Sequence, residues 1–140
     1  MAQLNPYLNF MGNTEEAFNF YKSVFGGEFT TISRFKDTPE KDRLPVDEQD
    51  KLMHVALKVG NNTLMGTDAL KSMGHSVTPG NQITLSLEAE SKEEADKLYS
   101  ALSAGGKAEM PMQDMFWGSY FGMLDDKFGI KWMINFTYKK

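Results

Sequence analysis

Asn13-Thr14-Glu15-Glu16-Ala17-Phe18-Asn19-Phe20-Tyr21-Lys22-Ser23-Val24-Phe25-Gly26-Gly27 is echoed by Ser91-Lys92-Glu93-Glu94-Ala95-Asp96-Lys97-Leu98-Tyr99-Ser100-Ala101-Leu102-Ser103-Ala104-Gly105-Gly106. Each stretch opens on a helix-capping residue, and a glutamate three positions on (Glu16, Glu94) completes a capping-box pattern. Each holds Glu-Glu-Ala with a tyrosine four residues after the alanine, and each stops at Gly-Gly. One apolar stripe reads Ala17, Phe20, Tyr21 and Val24; the other reads Ala95, Leu98, Tyr99 and Leu102. Cap, stripe and stop together mark an internal repeat, which a helical stripe alone would not.

Outward from the two helices, strands are expected on both sides. Leu8 and Phe10 alternate before the first helix, and Ile83, Leu85 and Leu87 before the second. Three strand-like runs follow the first helix: Glu28 to Phe35, Met53 to Val59 and Thr63 to Met65, with Gly60-Asn61-Asn62 as a turn. Lys107 to Met112, Tyr120 to Leu124 and Ile130 to Phe136 follow the second, with a turn at Asp125 to Gly129. Each half therefore reads as a βαβββ module, the first at about 3–70 and the second at about 81–138, within one α+β domain over residues 1–140. Lys36 to Asp50 is charged, contains Pro39 and Pro45, and is expected to be a mobile surface loop. Leu70 to Asn81 is expected to link the halves.

A chain of 140 residues matches one ordinary domain. A domain of that size buries about two-thirds of its unfolded surface, so it needs neither disulfides nor a structural metal. The absence of cysteine removes disulfides, thiolate metal sites and thiol nucleophiles, and makes a reducing cytoplasm the expected compartment. The N-terminal residues show no basic start followed by an apolar run, so no signal peptide is expected there. Nor does any stretch approach the ~20 apolar residues of a membrane helix. A net charge of −4 without a basic block argues against nucleic acid as a partner.

Several segments resemble PhnB-like proteins. They are Asn5-Pro6-Tyr7-Leu8-Asn9-Phe10 with Phe20-Tyr21 and Val24-Phe25-Gly26-Gly27, and Met53-His54-Val55-Ala56-Leu57 running into Leu64-Met65-Gly66-Thr67-Asp68. The most specific are Phe116-Trp117-Gly118, Phe121-Gly122 and Asp126-Lys127-Phe128-Gly129-Ile130-Lys131-Trp132-Met133-Ile134-Asn135. Together they cover nearly the whole chain. The resemblance implies the vicinal-oxygen-chelate fold of glyoxalase and bleomycin-resistance proteins: curved mixed sheets around a cleft, usually in a homodimer. Relatives include glyoxalases, extradiol dioxygenases, fosfomycin-resistance thiol transferases and bleomycin-binding proteins, and the PhnB-like branch has no agreed reaction. A ubiquinone-methyltransferase label is attached to some members, and it does not suit a chain with no glycine-rich nucleotide loop after a strand.

Metal-dependent members of that superfamily take His, Glu or Gln ligands from the first and last strands of each module. By resemblance those places fall here on Tyr7 (or Pro6), Met65, Gln82 and Met133. Tyrosine and methionine do not suit a hard divalent ion, and Gln82 alone cannot hold one, so neither metal nor other cofactor is expected. Alternation sets His54 on the face opposite Val55, Leu57 and Val59, aimed into the cleft, where Asp68 would orient it as a general base or as a relocated metal ligand. The competing reading is a histidine hydrogen-bonded within its sheet. His75, in the Gly-rich linker, is expected to be solvated.

Asn9, Thr84 and Ser86 are expected to add hydrogen bonds to the cleft. Met110, Met112, Met115, Phe116, Trp117, Tyr120, Phe121 and Met123 crowd one segment, which reads equally as a ligand-binding wall and as core or dimer contact. Three functions follow. The first is a metal-free binding protein for a small organic molecule. The second is a lyase, isomerase or thiol transferase using His54 and Asp68, with or without an ion. The third is a non-catalytic interaction dimer. The fold alone does not choose among them.

Overall fold

The first repeat folds as strand β1 (Tyr7–Phe10), helix α1 (Thr14–Phe25), strand β2 (Phe29–Arg34), a single-turn helix α2 (Val46–Gln49), and strands β3 (Leu52–Val59) and β4 (Asn62–Asp68). The second folds as β5 (Leu85–Glu88), α3 (Lys92–Ser103), β6 (Lys107–Met115), β7 (Ser119–Asp125) and β8 (Lys131–Thr137). This computed structural model describes residues 2–39 and 41–138, in two units, Met1–Thr78 and Pro79–Lys140. Each unit holds one four-stranded sheet, ordered β1-β4-β3-β2 in the first and β5-β8-β7-β6 in the second. In both, the first strand runs parallel to the last and the remaining neighbours are antiparallel. The α+β architecture of two βαβββ modules is the one the repeat predicts.

In the first unit α1 buries Thr14, Ala17, Phe18 and Tyr21 against Val55, Leu57 and Leu64. The stripe thus centres on Phe18, whereas the sequence reading centred it on Phe20, which is only half-buried. Both choices satisfy helical spacing. What selects Phe18 is Gly66 on β4, where an added Cβ would lie 2.5 Å from Phe18 Cε1. Phe18 and Tyr21 meet edge to face at 5.5 Å, and burying each contributes about 1.5–3 kcal/mol. In the second unit α3 buries Ala95 and Leu102, with Leu98 and Tyr99 half-buried beside them. The sheet beneath supplies Leu124, Trp132 and Ile134. Tyr99 donates its hydroxyl to the carbonyls of Met110 (2.9 Å) and Met123 (3.2 Å).

The helix starts differ from expectation in one case. Ser91 caps α3 as predicted, its Oγ accepting from Glu94 N at 3.0 Å. Glu94 in turn accepts from Glu90 N at 2.8 Å, one residue before the position a capping box would give. Asn13 precedes α1, but its side chain makes no capping bond, so the expected box is absent there.

The segment read as a mobile loop is instead built from short helical turns at 35–37, 41–43 and α2. Leu44 is buried within it, and Gln49 Nε2 donates to the carbonyls of Lys41 and Leu44 at 3.2 Å each. Arg34 closes its far end on Asp50 O at 2.8 Å. Ile83, expected in a strand, precedes β5 and is largely exposed. No helix among the described residues is long and apolar enough to cross a membrane.

Candidate functional site

In the first unit, alternation along β3 turns Val55 under α1 and His54 to the opposite face of the sheet. Tyr7 and Met65 are direct partners across β1 and β4, and Tyr7 shares His54's face. Tyr7 Oη lies 3.2 Å from His54 Nδ1, and the two rings stand 5.7 Å apart at 34°. Since β4 separates β1 from β3, this contact spans a whole strand. At the same point β3 carries one residue more than β2: Ser33 pairs with His54 and Arg34 with Leu52, leaving Met53 as the extra residue. Thr67 Oγ1 holds that irregularity by donating to Met53 O at 2.6 Å.

Asn9, Phe35, Met53, Thr67, Met73 and His75 help line an open groove of about 770 Å³ beside this pair. His75 is exposed, as expected, and stands in one wall of this groove. The wall is anchored by the buried Leu70 and by Ser72, whose backbone N donates to Glu48 Oε2 at 3.2 Å and whose hydroxyl donates to Glu48 Oε1.

Asp68 does not orient His54. It follows Leu64 and Gly66 onto the helix face, and both of its oxygens are occupied there. Oδ1 accepts from Gly12 N (3.0 Å), Thr14 N (3.1 Å) and Thr14 Oγ1 (2.6 Å), while Oδ2 accepts from Leu52 N (2.8 Å). The partner of His54 is Tyr7, and nothing in the spacing of the two residues signals the contact. One of the four bonds to Asp68 takes up Thr14 N, the first amide of α1.

The second unit redistributes the expected site residues. Met133 pairs with Ser86 across β8 and β5, so Ser86 takes the place given to Gln82, which lies exposed in a bend before the strand. Thr84 also precedes β5 and is half-buried. Tyr120 faces α3 and donates to Asp96 Oδ1 at 2.6 Å, with the Lys92 ammonium 4.7 Å above its ring. That hydrogen bond, then burial, pushes the Tyr120 phenol up to about 12, so it stays protonated and committed to the helix. Phe121 lies on the other face. Phe116 and Trp117 form the tip of the β6–β7 hairpin, 96% and 51% exposed, in edge-to-face contact at 5.0 Å. The aromatic and methionine-rich segment is thus divided between two faces and a turn.

The positions where the resemblance implies metal ligands can be tested on these registers. They hold Tyr7 and Met65 in one unit, Ser86 and Met133 in the other. A phenol, a hydroxyl and two thioethers do not fit a hard divalent ion, which requires carboxylate, imidazole or several carbonyl oxygens. Among the described residues no three His, Asp or Glu side chains gather as a metal-binding group.

Residues 2–135 match the family described as 3-demethylubiquinone-9 3-methyltransferase. Protein YjdN of Escherichia coli (strain K12) is 33% identical over 140 residues, covering 94% of this chain and 93% of that protein. Among solved structures, protein PA1353 from Pseudomonas aeruginosa is 37% identical with a TM-score of 0.86, covering 99% of this chain and 100% of that one. The PhnB protein from Bacillus cereus is 26% identical with a TM-score of 0.78, covering 97% and 100%. Glyoxalase/bleomycin-resistance proteins share the fold. Matched over almost its entire length and in both βαβββ units, the chain belongs to the PhnB-like (3-demethylubiquinone-9 3-methyltransferase-like) family.

Proposed function

We propose that the protein binds a small organic molecule on the face of the first unit's sheet that α1 leaves free, without a divalent ion. The observation that carries this reading is the Tyr7–His54 pair beside a groove of about 770 Å³. Phe35, Met53 and Met73 give the groove apolar walls, and Asn9, Thr67 and His75 add a few polar groups. That mixture suits a small-molecule pocket. Methyl transfer, which the family description names, finds less support. No glycine-rich loop follows a strand among the described residues, and one amide at the start of each helix is already taken, Thr14 N by Asp68 and Glu94 N by Ser91.

The test uses protein purified without chelators or an affinity tag. Its metal content is measured, and amide NMR spectra are recorded with phenol, indole and benzoate as probes. Expected are substoichiometric metal and shifts confined to residues 52–55, 65–69 and 73–78. Stoichiometric Zn, Ni, Mn or Fe that disappears in His54→Ala would overturn the metal-free reading.

The Tyr7–His54 bond also favours a second reading. In it His54 is a general base in a lyase, isomerase or thiol transferase, with Tyr7 in the orienting role expected of Asp68. Turnover abolished by His54→Ala and reduced by Tyr7→Phe would establish it. A second copy of the chain is the partner proposed for the exposed Phe116–Trp117 tip; sedimentation of Phe116→Ser against the wild type checks this.

A further inference from the structure

The sheet of the second unit carries a feature that the proposed ligand site does not use. Met110 pairs with Met123, and Met123 pairs with Met133, so three thioether side chains stand abreast across β6, β7 and β8. Directly paired residues share a face, with Cβ atoms about 4.5–5.5 Å apart. This face is the one away from α3. Met123 alternates with Gly122, where an added Cβ would lie 3.0 Å from Tyr99 of α3, and Met133 alternates with the buried Trp132 and Ile134. Glu109, the extra residue between Ala108 and Met110, is on the same side, since it reaches Lys131 at 3.5 Å and Lys131 also alternates with Trp132. Met112 lies on the opposite side, its sulfur 2.6 Å from the Cβ that Gly122 lacks.

All three paired methionines are half-buried, so the row is not sealed into the core. Under α3 this unit buries Leu124, Trp132 and Ile134, with one half-buried methionine, Met112, beside them. Aliphatic side chains would fill the row equally well and lose less rotamer freedom on ordering. Sulfur at one level on three adjacent strands adds something they lack: three polarisable, uncharged donors. Thioethers prefer soft ions such as Cu(I) to hard divalent ones, and three neutral ligands suit a single positive charge. Methionine's rotatable bonds let sulfurs rooted on strands about 4.8 Å apart converge on one ion. The chain contains no cysteine to compete for it.

We propose that Met110, Met123 and Met133 form a three-thioether site for a soft monovalent cation, Cu(I) or its redox-inert analogue Ag(I). The ion binds without a change of oxidation state. The proposal stands apart from the small-molecule reading and neither needs it nor excludes it.

The test is titration of protein carrying [13C]methyl-methionine with Ag(I) in chloride-free buffer. Methyl signals of Met110, Met123 and Met133 are expected to shift together and saturate at one equivalent, while those of Met53, Met65 and Met73 stay in place. Met123→Leu is expected to weaken Ag(I) binding roughly tenfold or more, the scale typical of disturbed metal sites. Met112→Leu, on the helix face, leaves the affinity unchanged. Circular dichroism checks that both variants fold. Cu(I) held in competition with bicinchoninate should follow the same order. Shifts spread over all methionines without saturation, saturation centred on other methionines, or a Met123→Leu protein that binds as tightly as wild type would each overturn the assignment.

Discussion

Helices α1 and α3 occupy equivalent places in the two units and begin in different ways. At α3 the cap is local: Ser91 accepts from Glu94, three residues on. At α1 the side chain of the capping residue makes no capping bond, and the first amide donates instead to Asp68, 54 residues away in sequence. That carboxylate also takes Gly12 and Leu52, so it joins the β1–α1 turn, the start of β3 and the end of β4. The second unit has a buried carboxylate too, and there Asp126 accepts within its own hairpin, from Phe128 N, Ile130 N and Trp132 Nε1 at 2.8–3.0 Å. One topology is therefore tied by a long-range bond in the first unit and by short-range bonds in the second. The free faces differ as well: the first carries a phenol–imidazole pair, the second a row of thioethers.

Substitutions at these ties test the contrast. Asp68→Ala strands four donors, three of them buried with it, and is expected to lower the unfolding free energy by about 3–5 kcal/mol, read from urea denaturation. A loss near 1 kcal/mol would mean that water replaces the carboxylate and that the long-range tie matters little. Next in size, Gly66→Ala forces a methyl against the Phe18 ring at a cost of about 1–3 kcal/mol. Phe18→Leu in the same chain should recover part of this, and a strictly additive double mutant would show that the ring is not the obstacle. Ser91→Ala removes only the local cap, at about 1 kcal/mol, and should fall well short of Asp68→Ala.

The smallest effect concerns α1's outer surface. The hydrogen bond from Arg34 holds the Glu15 carboxyl below its usual value of 4.5, with their Coulomb attraction adding to it. Because the folded value is the lower one, the stabilisation is present above the unfolded pKa and fades as pH falls through the folded pKa. Glu15 is half-exposed, so solvent screening limits the contribution to under about 0.5 kcal/mol. In Arg34→Met the Glu15 titration followed by NMR should rise toward 4.5. An unchanged titration would remove Arg34 as the cause.

The repeat, both Gly-Gly stops, the Ser91 cap and the facing of His54 away from Val55 were legible in the chain because each depends on neighbours a few residues apart. Helical spacing and two-residue alternation are properties of the local backbone, and they survive whatever packs against it. Tertiary contact decided the remainder. Helical spacing permits either Phe18 or Phe20, and only Gly66 on another strand selects between them. Gln82 gave way to Ser86 because strand pairing is settled between segments, where a single displaced residue changes every partner. The Met110–Met123–Met133 row exists only after a register shift in β6. The Tyr7–His54 bond required β1 and β3 to come within reach across β4. Local periodicity therefore determined which residues share a face, and long-range pairing decided which of them meet.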